Sequence, residues 1–190
     1  GVNSINWARI ITQSVYYFYT YFKLDTDKPI SFSVPTGNFG DVFAGYLAKK
    51  MGLPIDKLIV ATNENDILHR AISKGDYVSR KVKETLSPSM DIQLASNFER
   101  LIYYINNSDS KITADIMKKI KQNTYQIDKP SLETIQKDFL SESCNEKETL
   151  NIIKQTYEEN KHLYERGTTM SKITPVFEKI KVELNPLIQE

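Results

Sequence analysis

The stretch that decides the fold runs from Ile30 to Thr62, with the sequence ISFSVPTGNFGDVFAGYLAKKMGLPIDKLIVAT. A short β-rich run at 30–34 stops at a proline, and a helical pattern follows over 42–51. A second apolar run at 58–62 predicts a buried strand. Strand, helix and strand within about 35 residues predict a βαβ unit with a right-handed crossover.

The turn Gly37-Asn38-Phe39-Gly40-Asp41 joins the carboxyl end of the first strand to the helix. Open parallel sheets bind ligands at this position, and glycines let free N–H groups at a helix start approach a phosphate. Asn38 adds an amide donor, whereas Asp41 is better placed as a cap or turned away from an anion. The alternative, which spacing alone favours, is that two glycines only shape a tight turn.

Helical patterns dominate the rest of the chain. A helix is expected at 3–22, with Asn3 or Ser4 as its N-cap and with tyrosines that widen its apolar surface. Further helices are expected at 67–73, 97–106, 113–121, 130–140, 147–162 and 173–184. The sequence therefore predicts an α/β core at 1–85 and a mainly helical segment at 86–190 that packs on the same domain.

Composition excludes several classes of function. The 190 residues include 25 Lys+Arg against 24 Asp+Glu, so the charge gives no reason to expect nucleic acid or an anionic membrane as partner. The apolar run 15–22 is too short and too polar to span a bilayer. Cys144, expected in a polar loop, fits a reducing, cytoplasmic compartment. His69 and His162 are expected on helix surfaces, and no zinc-site or other metal-ligand spacing is present.

Five motifs occur in a fixed order along the chain. They are Asn3–Arg9 (NSINWAR), Pro35–Asp41 (PTGNFGD), Ala61–Asp66 (ATNEND), Ser87–Ile92 (SPSMDI) and Ser96–Arg100 (SNFER). Together they resemble threonine synthases, which are pyridoxal-phosphate (PLP) enzymes of fold type II. The resemblance covers residues 2–104 and weakens beyond them. It implies a partial fold type II domain, in which a βαβ phosphate-binding core precedes a mainly helical part.

The resemblance also implies a binding site for a phosphate-bearing small molecule. In the family, the turn matched by Gly37, Asn38, Phe39, Gly40 and Asp41 cradles the phosphate of PLP. Further residues are candidates for lining the substrate cleft: Asn3, Ser4, Asn6, Asn63, Asn65 and Asp66. Helix capping is their alternative role. Met90 and Asp91 match a family motif to which the sequence assigns no catalytic role.

No catalytic residue is assigned, because the Schiff-base lysine of the family lies upstream of the motif matched by Asn3–Arg9. No lysine of this chain stands in a matching context, and the family's C-terminal Asp-Pro-His-Thr-Ala and Ala-His-Pro-Ala-Lys motifs are not matched. We therefore expect an internal or C-terminal piece of a threonine synthase, inactive by itself. The intact family converts O-phospho-L-homoserine and water to L-threonine and phosphate.

Two alternatives stay open. The chain could be one half of a split enzyme that an upstream polypeptide carrying the lysine complements, since the edge of an incomplete sheet favours pairing. Separately, the tyrosine-rich first helix needs cover on several sides, which favours a homo-oligomer. The chain could instead be a non-catalytic interaction module that keeps a phosphate-binding turn.

Overall fold

A computed structural model describes residues 5–160, with side chains described through residue 155. One parallel sheet of three strands has the order β1 (Ile30–Pro35), β2 (Ile55–Thr62), β3 (Phe139–Ser143). The helices are α1 (Trp7–Lys23), α2 (Gly40–Lys50), α3 (Ile67–Lys74), α4 (Phe98–Ile105), α5 (Ser110–Lys121), α6 (Lys129–Asp138) and α7 (Glu146–Asn160), with a 3₁₀ turn at Pro88–Met90. The predicted α/β class is confirmed. None of the described helices combines the length and apolarity that crossing a membrane requires.

The predicted βαβ unit is present. β1 and β2 pair in parallel, with Phe32 opposite Leu58 and Pro35 opposite Ala61, and α2 connects them. Every residue of α2 from Val42 to Ala48 is buried, because the helix lies between α1 and the sheet. A Cβ added at Gly45 would lie 2.5 Å from the ring of Tyr17, so a glycine is needed for α1 to approach this closely.

The third strand corrects the prediction of a helix over 130–140. The helix ends at Asp138, and the next five residues extend and pair in parallel with β2, from Leu58 opposite Phe139 to Thr62 opposite Ser143. Phe139 is fully buried, with its ring centroid 5.4 Å from that of Tyr46. A five-residue strand whose partner lies some 80 residues earlier carries little local signal.

Two smaller predictions are also corrected by the packing around β3. Cys144 is buried at the end of this strand rather than in a polar loop, and its N–H donates to the Thr62 carbonyl at 3.0 Å. His69 is half-buried rather than on the surface, with its Nδ1 3.2 Å from the Ser141 hydroxyl. Both residues therefore contact the sheet, Cys144 through Thr62 of β2 and His69 through Ser141 of β3.

Helix α1 begins later than predicted. The residue at its N-cap position is Asn6, whose Oδ1 accepts from the Ala8 N–H at 3.0 Å, and not the predicted Asn3 or Ser4. Those two residues, His162 and the helix expected at 173–184 lie outside the described residues. Large apolar side chains on one side of α1, here called its outer face, are exposed within the described part of the chain: Ile11, Val15, Tyr16, Tyr19 and Phe22.

We predict that Phe139→Ala lowers the free energy of unfolding by about 3–5 kcal/mol, because it removes a fully buried ring that joins β3 to the core. Urea unfolding followed by circular dichroism measures the effect. Met51→Ala is the control, since that side chain is 57% exposed and its loss should change stability by less than about 0.5 kcal/mol. Equal losses in the two variants would show that β3 is not part of the folded core.

Candidate phosphate-binding site

The turn after β1 brings main-chain N–H groups together at the start of α2. The Thr36 N–H extends the sheet pairing by donating to the Ala61 carbonyl at 2.8 Å. Phe39 then adopts the left-handed conformation, with φ 64°, and serves as N-cap of α2. The helix starts at Gly40, two residues earlier than predicted. Its first N–H groups have no acceptor within the helix, which makes the turn suitable for an anion.

A cavity of about 150 Å³ opens at this turn. Its lining includes all five residues predicted for the phosphate site, together with residues from α1 and the end of β1: Arg9, Gln13, Pro35, Thr36, Gly37, Asn38, Phe39, Gly40, Asp41 and Val42. Phe39 can contribute only its main chain, because its ring is 1% exposed and packs against Phe98 and Phe139. The predicted set is thus brought together around one small, polar-lined space.

The neighbouring loop, residues 83–97, packs closely against two glycines of the turn. A Cβ added at Gly37 would lie 2.8 Å from the Ser89 carbonyl oxygen, so any larger residue would displace the backbone of the turn or the loop. A Cβ at Gly40 would lie 3.4 Å from the side-chain nitrogen of Asn97. The Asn97 N–H also donates to the Asn38 carbonyl at 3.1 Å. The loop therefore fixes the turn from the side opposite the sheet.

Asp41 is one of the residues that line the cavity. Its Oδ1 is buried and finds no hydrogen-bond partner among the described residues. Burial raises the pKa of this carboxyl, with a smaller opposing effect from the Tyr17 hydroxyl. Tyr17 is itself buried, its own pKa is raised, and its hydroxyl donates to the Asp41 main-chain carbonyl at 2.9 Å. Burial therefore disfavours the charged form of this carboxyl relative to an exposed aspartate.

The cleft candidates after β2 make contacts within the protein. Asn63 and Asn65 donate through their Nδ2 atoms to Asp91 Oδ1, at 2.7 and 3.0 Å. Asp66 pairs with Arg70, whose Nε donates to Asp66 Oδ1 at 2.9 Å. Although Asp66 occupies the N-cap position of α3, its side chain makes no capping bond in the described structure, so that alternative is wrong for Asp66. For Asn6 the capping alternative is confirmed.

Sequence reasoning did not select Arg9 and Gln13 of α1, which line the same cavity. Their spacing of four residues puts both on one face of a helix, and Arg9 closes the NSINWAR motif. A polar pair at this spacing, on a helix otherwise rich in apolar residues, was the available signal. Arg9 supplies the positive charge that the turn itself lacks.

Known proteins were compared with the chain. No protein-family model matches it. The threonine synthase of Saccharomyces cerevisiae is 50% identical over 172 residues, covering 83% of this chain and 34% of that protein. The chain belongs to the threonine synthase family. The threonine synthase of Pseudomonas aeruginosa is 43% identical over 172 residues, covering 90% of this chain and 37% of that protein. The predicted family is therefore confirmed.

A solved structure extends this agreement to the fold. The crystal structure of PLP-bound threonine synthase from Brucella melitensis superposes with a TM-score of 0.87 at 43% identity, covering 96% of this chain and 39% of that one. The fold type II class predicted for the threonine synthase resemblance is confirmed. The chain spans about a third of the length of the curated threonine synthases it matches.

We predict that Asp41→Asn changes how stability depends on pH. Burial raises the pKa of Asp41 in the folded protein above the ordinary 3.8, so the folded state holds this proton more tightly than the unfolded chain. Stability of the wild type should therefore fall as pH rises from about 4 through the raised pKa, and the variant should lose this contribution. Urea unfolding at a series of pH values measures it.

The quantity to follow is the difference in unfolding free energy, variant minus wild type, which should grow more positive as pH rises through that window. Asp27→Asn, which changes an exposed carboxylate, is the control. A difference for Asp41→Asn that stays flat or falls with pH would contradict the expectation.

Proposed function

We propose that this chain provides the phosphate-binding part of the PLP site of a threonine synthase. The reaction is the conversion of O-phospho-L-homoserine and water to L-threonine and phosphate. The observation that carries the proposal is that the start of α2, Asn38 and Arg9 line one cavity, since these residues carry main-chain N–H groups, a side-chain amide and a guanidinium as donors. The family membership of the chain supplies the identity of the cofactor.

The residues present fit a phosphate group. Main-chain N–H groups at a helix start and a guanidinium are the donors that phosphates prefer, and both give charge-assisted hydrogen bonds. The volume of about 150 Å³ is well below that of a pocket for a whole small molecule. We therefore assign this cavity to the phosphate group alone, with the rest of the ligand extending outside it.

Each residue of the turn has a distinct task in this proposal. Gly37 and Gly40 let the main chain approach the anion, and Arg9 compensates its charge. Phe39 presents its main chain to the ligand while its buried ring holds the turn against the core. Asp41 in its protonated form tolerates the phosphate, whereas its carboxylate form repels it. When bound, PLP acts as an electron sink for the substrate.

We further propose that this chain does not catalyse the reaction by itself. Family chemistry needs a lysine that binds PLP covalently and moves protons, and the motif of that lysine is not in this sequence. A lysine from another segment or another chain has to reach the part of PLP that extends outside this cavity. A cytoplasmic location completes the proposal, since the free thiol of Cys144 fits a reducing compartment.

We predict that the wild-type chain binds inorganic phosphate at the turn, and that Arg9→Gln weakens this binding about tenfold, the loss expected for one charge-assisted hydrogen bond. In a ¹⁵N NMR titration, the amide signals of Gly37, Asn38, Gly40 and Asp41 should move on addition of phosphate. Pyridoxal phosphate should move the same signals.

Lys111→Gln, which removes one positive charge from exposed α5, is the control and should leave the phosphate affinity unchanged. If the amides of residues 37–41 stay unmoved at high phosphate, the cavity does not bind this group and the proposal fails. Equal weakening by both variants would mean that Arg9 acts only through the overall charge.

A second proposal is that the outer face of α1 docks the part of a threonine synthase fold that this chain does not contain. The face presents Val15, Tyr16, Tyr19 and Phe22 at 59–71% exposure, and the chain covers only 39% of the PLP-bound threonine synthase. An apolar patch of this kind is typical of an interface. The complementing part lies in the same polypeptide or in a separate one, as in a split enzyme.

We predict that the isolated chain associates with itself through this outer face, because apolar side chains without their partner leave water by pairing. Light scattering during size-exclusion chromatography should show a mass that rises with concentration. The double variant Val15→Ser and Phe22→Ser should stay monomeric about tenfold higher in concentration. Leu150→Ser, which changes an exposed apolar side chain of α7, should associate at the same concentration as the wild type. A wild type that stays monomeric throughout would contradict docking at this face.

A further inference from the structure

We infer that Asp91 is a positioning residue for the phosphate turn. It acts at a distance, by fixing the 83–97 loop whose main chain holds Gly37 and Asn38 in place. The inference rests on the proposed phosphate site, and it assigns a role to a residue that is not among those lining the cavity. Three sets of contacts carry it.

The first set ties Asp91 to the sheet and to its own loop. Its Oδ1 accepts from the Nδ2 atoms of Asn63 and Asn65, at 2.7 and 3.0 Å, and from the Thr85 hydroxyl at 2.6 Å. Its Oδ2 accepts from the Thr85 N–H at 2.8 Å. Because both asparagines follow β2, one carboxylate connects the loop to the carboxyl end of a strand that neighbours β1.

The second set carries this anchor to Gly37. Ser89 lies two residues before Asp91, within a tight turn closed by the Met90 N–H donating to the Ser87 carbonyl at 2.8 Å and the Asp91 N–H donating to the Pro88 carbonyl at 3.1 Å. A turn closed at both ends moves as one unit. The Ser89 carbonyl, which leaves no room for a Cβ at Gly37, therefore keeps its place only while Asp91 is anchored.

The third set fixes the direction of the turn's donors. The Asn97 N–H, at the far end of the loop, donates to the Asn38 carbonyl at 3.1 Å. In a trans peptide the following N–H points opposite to the carbonyl, so the Phe39 N–H is directed away from the loop. Releasing the loop would free this peptide to rotate, and the phosphate would lose a pre-oriented donor.

The pattern of donors also explains why the anchor is a carboxylate. In the four hydrogen bonds described above for the Asp91 carboxylate, the partner atom always donates. A carboxylate accepts at both oxygens, whereas an asparagine would turn an NH₂ group toward at least one of these donors. Asp91→Asn keeps the size of the side chain and removes the match.

The test compares Asp91→Asn with Asp76→Asn in the full chain. Asp76 is the control because it also holds the start of the segment that leads into the loop. It accepts from the Val78 N–H at 3.1 Å and pairs with Arg70, and like Asp91 it does not line the cavity. Three quantities are measured: the melting temperature, the amide chemical shifts of Gly37, Asn38 and Phe39 without ligand, and the dissociation constant for inorganic phosphate.

We expect both variants to melt at lower temperature, and Asp91→Asn alone to shift the amides of residues 37–39 and to weaken phosphate binding about tenfold. A merely structural role would lower the melting temperature without this selective change. Thr85→Val removes the hydroxyl that donates to Asp91, together with its hydrogen bonds with Asn63 and Ser87. It should change the turn in the same direction, which decides the matter if Asp91→Asn does not fold.

The outcomes separate the inference from the function on which it rests. If the wild type does not bind phosphate, the proposed function fails, and the ligand-free amide shifts still test whether Asp91 positions the turn. If the wild type binds phosphate and the Asp91 and Thr85 variants bind it equally well, with residues 37–39 unmoved, the inference is overturned. The inference is also overturned if Asp76→Asn shifts the amides of residues 37–39 as strongly as Asp91→Asn does.

Discussion

The burial of the Phe39 ring is the constraint on which the rest of the structure depends. This residue has φ 64°, a conformation that costs a bulky side chain of order 1–3 kcal/mol. Its ring is almost completely buried, with centroids 5.2 Å from Phe98 and 5.7 Å from Phe139. Burial of a phenylalanine contributes about 1.5–3 kcal/mol, and each aromatic pair adds up to about 1.5. The free energy gained by packing the ring therefore outweighs the conformational cost at Phe39. This balance stabilises the sharp turn that follows β1.

The same ring joins parts of the chain that are distant in sequence. Phe98 begins α4 and Phe139 begins β3, so the backbone that presents N–H groups to the cavity is supported from both. Two ionisable side chains, Arg9 and Asp41, belong to residues that line the site. Burial raises the pKa of Asp41, whereas the positive end of α2 and the guanidinium of Arg9 favour an anion.

Local chemistry explains which features could be predicted from the sequence. The βαβ unit was visible because proline and glycine mark its boundaries and its strands are continuous apolar runs. The phosphate turn was visible because Gly37 and Gly40 stand between a strand and a helix. β3 was missed because residues 139–143 become a strand only by pairing with β2. The contacts of Asn63 and Asn65 with Asp91 were missed for the same reason, since no local pattern relates an amide to a carboxylate some 26–28 residues later.

The described residues include a turn with many internal contacts and a helix face that is largely exposed. The contacts described for the turn lie within residues 5–160: the pairing with β2, the ring of Phe39 against α4 and β3, and the loop that contains Asp91. Donors held in this way need little rearrangement when a ligand binds, which supports the proposal that the cavity binds a phosphate group. The outer face of α1 differs, because its large apolar side chains remain exposed in the described structure. The two proposals, phosphate binding at the turn and docking at this face, therefore rest on separate parts of the described chain.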